Sequence, residues 1–324
     1  MRFRSLGRTG WQVSEIGFGG WQIGGDWGPV NDADSIETLL YAFERGVNFV
    51  DTAELYGNGH SEEVIGAALK QWRGPKIYVA TKARPVVWPD PDDDAPQMRG
   101  RFAPWYLRAK VEGSLRRLGV ERLDLFQIHS WGPSGIEELD WLETLNALRS
   151  EGKIDRIGVS LRDYRPDEGL ALAAYGLVDT IQVIYNIFEQ RTAARLFPAG
   201  AASGTGFIAR VPLDSGALSG TWTKDSYASF FPGSQPHNMF RGTRFGETLE
   251  RAEALNVLCQ DYYPTLAEAA LRFVLAAPEV STLIPGMRNR VEVDLNVAYS
   301  DGKHFPGGLR SALASHGWIR NYYQ

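Results

Sequence analysis

A single cysteine, Cys259, stands in the 324 residues, which excludes an internal disulfide framework and any cysteine-rich metal site. It lies among Leu255, Val257 and Leu258 in an amphipathic stretch and reads as a partly buried, inert thiol. Histidines are equally sparse: positions 60, 129, 237, 304 and 316 share no ligand spacing, so no metal is expected and a metal-dependent barrel hydrolase is disfavoured. No apolar run approaches the length that crosses a bilayer, and Met1-Arg2-Phe3-Arg4-Ser5-Leu6-Gly7 lacks the apolar core of a signal peptide. A cytoplasmic location with no membrane partner is the expectation. A basic footprint is missing too: the net charge is -5 and Lys and Arg are dispersed, so no nucleic-acid partner is expected. The G-x-G-x-x-G fingerprint is also absent. Gly57-Asn58-Gly59-His60-Ser61-Glu62 and Gly17-Phe18-Gly19-Gly20-Trp21-Gln22 both fail at the third glycine and read as tight turns.

What is present is an ordinary globular composition, 44% apolar and 23% charged, sufficient for a core. Short apolar runs recur at residues 16–18, 48–50, 77–80, 123–128, 157–159, 181–184, 207–209 and 282–284. Helical patterns separate them. Those at 32–45, 104–118 and 136–151 stop at Gly46, Gly119 and Gly152, and glycine takes the left-handed C-cap conformation most easily. Nearly all-apolar strands, each followed by a helix, need cover on both faces. That predicts about eight parallel β/α units closed into a (β/α)8 TIM barrel, one domain over residues 1–324. Residues 3–13 read as a β-hairpin plugging the barrel bottom. Two connections, 84–102 and 211 to about 245, exceed plain turns, and long loops at a barrel mouth are usually functional. The acidic run 90–94, interrupted by Pro91, reads as a solvated loop.

In such a barrel the active site lies at the carboxyl ends of the strands. The polar residues that end the apolar runs include Asp51, Lys82, His129 and Ser160, and Tyr56 follows on the loop after Asp51. A phenol titrating at about 10 is a poor acid near neutrality unless a cation stabilises its anion. The expectation is therefore that Asp51 keeps Lys82 charged, and that the charge lowers the Tyr56 pKa. His129 offers a second donor to a carbonyl oxygen. An internal Asp51–Lys82 ion pair, a core histidine and a tyrosine wall would explain each residue singly, but not their convergence on one mouth.

Five segments then stand in order: Gly46-Val47-Asn48-Phe49-Val50-Asp51-Thr52-Ala53-Glu54-Leu55-Tyr56-Gly57, Ala80-Thr81-Lys82, Ser114-Leu115-Arg116-Arg117-Leu118, Asp124-Leu125-Phe126-Gln127-Ile128-His129 and Ile284-Pro285-Gly286-Met287-Arg288-Asn289. On these the chain resembles the aldo-keto reductase family over nearly its whole length. The resemblance implies reduction of an aldehyde or ketone by hydride transfer from NADPH. Asp51, Tyr56, Lys82 and His129 would form the catalytic tetrad, with Tyr56 as general acid. It implies NADP(H), with NAD(H) as the alternative, held near nicotinamide by Gly20, Trp21, Ser160, Gln182 and Arg210. Pro212, Leu213, Ser215, Gly216 and Leu218 would cover the pyrophosphate, and Gly286, Met287, Arg288, Glu292 and Asn296 would hold the adenosine end, Arg288 at a 2'-phosphate.

Trp21, Tyr56, His129 and Trp131 would line the substrate side, with Trp27 and Trp88 nearby. Leu161 stands where the family commonly has asparagine, Arg210 where it often has a stacking aromatic, and Glu292 and Leu295 where Gln or Arg and Glu are usual. The implied partner is a small carbonyl or alcohol, and no oligomeric state is legible. Alternatives are an NAD(P)-dependent sugar or polyol dehydrogenase running oxidatively, and an NADP(H)-sensing regulatory subunit.

Overall fold

A computed structural model describes residues 1–94 and 96–323. Strands β1 (Phe3–Ser5) and β2 (Gln12–Ser14) pair antiparallel as the expected hairpin. Eight parallel strands follow, bonded in chain order: β3 (Phe18–Gly19), β4 (Phe49–Asp51), β5 (Tyr78–Ala83), β6 (Leu123–Trp131), β7 (Ile154–Leu161), β8 (Thr180–Ile184), β9 (Gly206–Arg210) and β10 (Val280–Leu283). The sheet closes on itself. Gly17 N–H donates to the Leu283 carbonyl at 2.8 Å, Leu283 N–H to that of Glu15 at 3.0 Å, and Gly19 N–H to that of Pro285 at 2.9 Å. The seam is tight enough that a Cβ on Gly19 would lie 2.7 Å from the Ile284 carbonyl oxygen. This is the (β/α)8 barrel that the alternating runs predict.

Helices α1 (Asp32–Glu44), α2 (His60–Gln71), α3 (Pro104–Leu118), α4 (Asp140–Ser150), α5 (Leu170–Tyr175) and α6 (Thr192–Ser203) each follow one strand. After β9 come α7 (Gln235–Met239), α8 (Arg244–Cys259) and α9 (Leu266–Leu275), and after β10 come α10 (Arg290–Ala298) and α11 (Gly307–Leu313). Asn31 caps α1, its Oδ1 accepting from Ala33 N–H at 2.9 Å, while Gly119 and Gly152 sit at φ 66° and 77° beyond α3 and α4. The helix expected from residue 136 begins instead at Asp140. Pro133–Ile136 forms a separate 3-10 turn, and α4 gathers Asp140 and Glu143 in its first turn, where the helix dipole favours carboxylates.

The core has two layers. Between barrel and helices lie Phe43, Trp141, Leu145, Phe197 and Phe273. Inside the lower barrel, Leu6 and Val13 of the hairpin are fully buried with Phe49, Leu125 and Ile208, and Trp11 stacks on Tyr78 at 4.5 Å. The hairpin thus plugs the bottom. Cys259 is buried, and burial pushes its thiol up to about 11.

The opposite end carries the long connections. The segment after β9 reaches over the mouth to the loop after β3, where Gln235 N–H donates to the Asp26 carbonyl at 2.8 Å. The acidic loop is pinned by Arg162, which donates to the carbonyls of Asp90 and Asp93 at 3.1 and 2.8 Å. Among the described residues no cluster of His, Cys, Asp and Glu could hold a metal ion, and no helix is long and apolar enough to cross a membrane.

Candidate active site

Strand register delivers the polar residues to one level of the barrel: Asp51 pairs with Ala80, Lys82 with Gln127, His129 with Ser160 and Ser160 with Gln182. Lys82 is fully buried. Its Nζ donates to Asp51 Oδ2 at 2.7 Å, to the Thr52 carbonyl at 2.8 Å and to the Tyr56 hydroxyl at 3.3 Å. Three acceptors around one nitrogen are the complement of an ammonium group, which has three N–H donors and no acceptor. With its oxygen accepting from Lys82, the phenol is free to direct its own proton into the cavity. The other Asp51 oxygen accepts from Gln182 Nε2 at 2.6 Å and, more weakly, Gln127 Nε2 at 3.4 Å.

The expected lowering of the Tyr56 pKa is not what this environment produces. Burial pushes the phenol well above its ordinary value, the Asp51 carboxylate adds to that, and Arg210 opposes it. Residue spacing reveals the cation but not desolvation, which favours the neutral phenol. Burial also lowers Lys82, against the pull of Asp51. His129 is held well below its usual value by burial, with Lys82 and Arg210 repelling a further charge, so its ring is neutral.

Tyr56 and His129 open into a cavity of about 1040 Å³ that also meets Trp21, Gln182 and Arg210 and extends to Gly286, Arg288, Glu292 and Asn296. Pro212, Leu213, Ser215 and Gly216 line it between. Three of its lining side chains, Gln22 (Oε1), His129 (Nδ1) and Arg210 (Nε), carry buried polar atoms with no protein partner. An elongated groove with unmet hydrogen-bonding capacity fits a dinucleotide. Arg210 is anchored rather than loose, donating to Asp163 at 2.7 Å and to the Leu161 carbonyl at 3.1 Å. An aromatic wall faces Tyr56: Trp21 stacks on it at 5.6 Å, Trp27 meets Trp21 edge-on at 4.4 Å, and Trp88 meets His129 at 5.9 Å.

Other expected site residues stand behind the cavity surface. Ser160 is fully buried, its hydroxyl donating to Gln182 Oε1 at 3.3 Å, so it orients Gln182 rather than meeting the cavity. Gly20 donates its N–H to the Asp51 carbonyl at 2.7 Å. Met287 and Leu218 are fully buried in the helix-side core. Trp131 is no substrate wall. Strand alternation would turn it inward after His129, but Ser130 has φ 58° and the register with β7 shifts there, so its ring packs on Trp141 at 6.3 Å.

The lining also includes residues that strand patterning did not reveal: Gln22, Asp163, Asn321 and Tyr323. Tyr323 stacks on Trp21 at 6.1 Å and shares a hydrogen bond with the Ser215 hydroxyl at 3.1 Å. Arg320 of the same tail forms a buried ion pair with Asp214, beside Ser215. No periodicity marks this tail, so no sequence signal pointed to it.

Comparison with known proteins agrees with this geometry. The profile of the aldo/keto reductase family matches residues 15–305. The NADH-specific methylglyoxal reductase of Escherichia coli (strain K12) is 31% identical over 307 residues, covering 90% of this chain and 91% of the relative. The solved holo form of an aldo-keto reductase from Bacillus halodurans superposes with a TM-score of 0.76 at 24% identity over 100% of both chains. The glycerol dehydrogenase of Gluconobacter oxydans gives 0.75 at 28% identity, covering 97% of this chain and 94% of that one.

Proposed function

Because the chain belongs to the aldo/keto reductase family, an oxidoreductase lineage that works with nicotinamide cofactors, we propose that it reduces a small aldehyde or ketone and that Tyr56 supplies the proton. The observation that carries this reading is the Tyr56 hydroxyl, facing a cavity on one side and 3.3 Å from a buried ammonium on the other. A bound dinucleotide would supply the hydride. Trp21, Gln182, Arg210 and the 212–216 segment would hold its nicotinamide and phosphate portions, and Arg288, Glu292 and Asn296 its adenosine. The lining pairs apolar and aromatic walls with Gln182, Arg210, Arg288, Glu292 and Asn296, a mixture that suits a dinucleotide.

The chain's own chemistry is proton transfer. The raised Tyr56 pKa keeps the phenol protonated across the physiological range, which suits a donor to an alkoxide. Lys82 then stabilises the tyrosinate left behind, and Asp51 holds Lys82 in place. Neutral His129 lines the same cavity and can donate to the carbonyl oxygen, fixing which face of the substrate meets the hydride. Arg210 carries charge, but its pairing with Asp163 moderates repulsion of an oxidised nicotinamide ring.

A reverse reading, oxidation of a polyol, draws support from the glycerol dehydrogenase likeness and needs the same residues, with Tyr56 as base. Burial leaves the resting phenol protonated, the form that reduction draws on. An aldehyde and polyol panel, followed by nicotinamide absorbance with each dinucleotide, separates the two. In the active direction, Tyr56→Phe should lower turnover by about 10²- to 10⁴-fold while dinucleotide still quenches tryptophan fluorescence. Unchanged turnover would remove Tyr56 from the chemistry.

A further inference from the structure

The far end of the cavity has a feature that the proton chemistry does not use. Asn289 caps α10 with its Oδ1, accepting from Glu292 N–H at 2.9 Å. Glu292 turns back past the cap, one carboxylate oxygen accepting from the N–H of Arg288, the residue before Asn289, at 2.8 Å and the other from Asn289 Nδ2 at 3.2 Å. The Arg288 guanidinium lies 3.8 Å from the same carboxylate. Arg288, Glu292, Leu295 and Asn296 all line the cavity.

The backbone N–H and the side-chain cation that an anion would use here are therefore already engaged by the chain's own carboxylate. The neighbouring Arg290 and Arg45 have carboxylate partners of their own. Arg290 is paired with Glu37 at 2.6 Å and lies over the Tyr41 ring, and Arg45 is paired with Asp294 at 3.0 Å.

We propose that Glu292 makes this protein select NADH over NADPH. The inference rests on the reading of the cavity as a dinucleotide site and deepens it. A carboxylate is an acceptor only, suited to the hydroxyls of an unphosphorylated ribose, whose O–H groups donate. A 2'-phosphate would bring a second anion against it and would have to take over the donors that Glu292 holds. Like charges a few ångströms apart at a partly exposed site cost about tenfold or more in affinity, an effect that salt reduces. Although the family resemblance implies NADP(H) through Arg288, the partners of Arg288 in this fold point the other way.

The test is direct binding, read as quenching of tryptophan fluorescence in titrations with NADH and with NADPH. The wild-type chain should bind NADH about tenfold more tightly or better. Glu292→Gln keeps an acceptor for the cap and removes the charge; it should cut that preference about tenfold, almost wholly by tightening NADPH. Glu292→Arg should bring NADPH to parity or beyond, and thermal melts of each variant check that the fold is kept. Wild-type affinities within threefold of each other, tighter binding of NADPH, or a preference unmoved by Glu292→Gln would each overturn the inference while leaving the dinucleotide site intact. Failure to bind either dinucleotide would overturn both readings.

Discussion

The two ends of this barrel are closed by opposite means. At the bottom the hairpin pushes Leu6, Trp11 and Val13 against Phe49, Leu125 and Ile208, an apolar plug whose contribution is area removed from water. At the mouth the same strands end in Asp51, Lys82, His129 and Gln182, and several polar atoms lack protein partners. Burying a charged pair costs desolvation, so Asp51 and Lys82 are held there by mutual pairing and by their further hydrogen bonds. The difference separates what makes the barrel stable from what makes it reactive.

That separation can be broken experimentally. Lys82→Met, which leaves the Asp51 carboxylate buried without its cation, should abolish turnover and cost about 3–5 kcal/mol of stability in urea melts. Adding Asp51→Asn should restore most of the stability and none of the activity. A double variant as unstable as the single one would mean that the pair acts through shape rather than charge. At the other end, Leu6→Ala should cost about 2–5 kcal/mol, with turnover of the folded fraction unchanged within twofold. A matching fall in turnover would show that the plug also shapes the mouth.

The smallest effect is a pH slope. Burial keeps His129 neutral, below its ordinary value of 6.5, whereas the unfolded chain protonates it near that value. Its contribution to stability is full above pH 6.5 and is lost as pH falls toward the depressed folded value, at a slope of up to about 1.4 kcal/mol per pH unit. His129→Asn should flatten this acid limb, and Leu6→Ala should leave it unaltered. Thermal melts between pH 7.5 and roughly 5 would compare the three chains.

Most of the barrel was legible because its signal is local: an apolar run, a helix and a glycine stop, repeated. The convergence of Asp51, Tyr56, Lys82 and His129 was legible for the same reason, each marking or following a strand end. What was not legible depends on three-dimensional surroundings. The direction of the Tyr56 shift follows from burial, which no spacing reports. Trp131 turned outward because of one residue, Ser130, in a left-handed conformation. The tail carrying Arg320 and Tyr323 has no periodic pattern to announce its place over the mouth. Glu292 is intermediate. Asn289 and Glu292 have capping-box spacing, so the turned-back carboxylate was readable, but not its position at the end of the cavity.

The seam between Gly17 and Leu283 joins the start of the barrel to its end. β3 comes first of the eight strands in the chain and β10 last, so one edge of β3 stays open until β10 is in place. An unpaired strand edge invites pairing with other chains, and only closure of the seam removes it. The groove takes its walls from Trp21 and Gln22 on one side of the seam and from residues 285–296 on the other. A chain cut before β10 would lack one wall of this groove, so binding at the proposed dinucleotide site would report on whether the circle has closed.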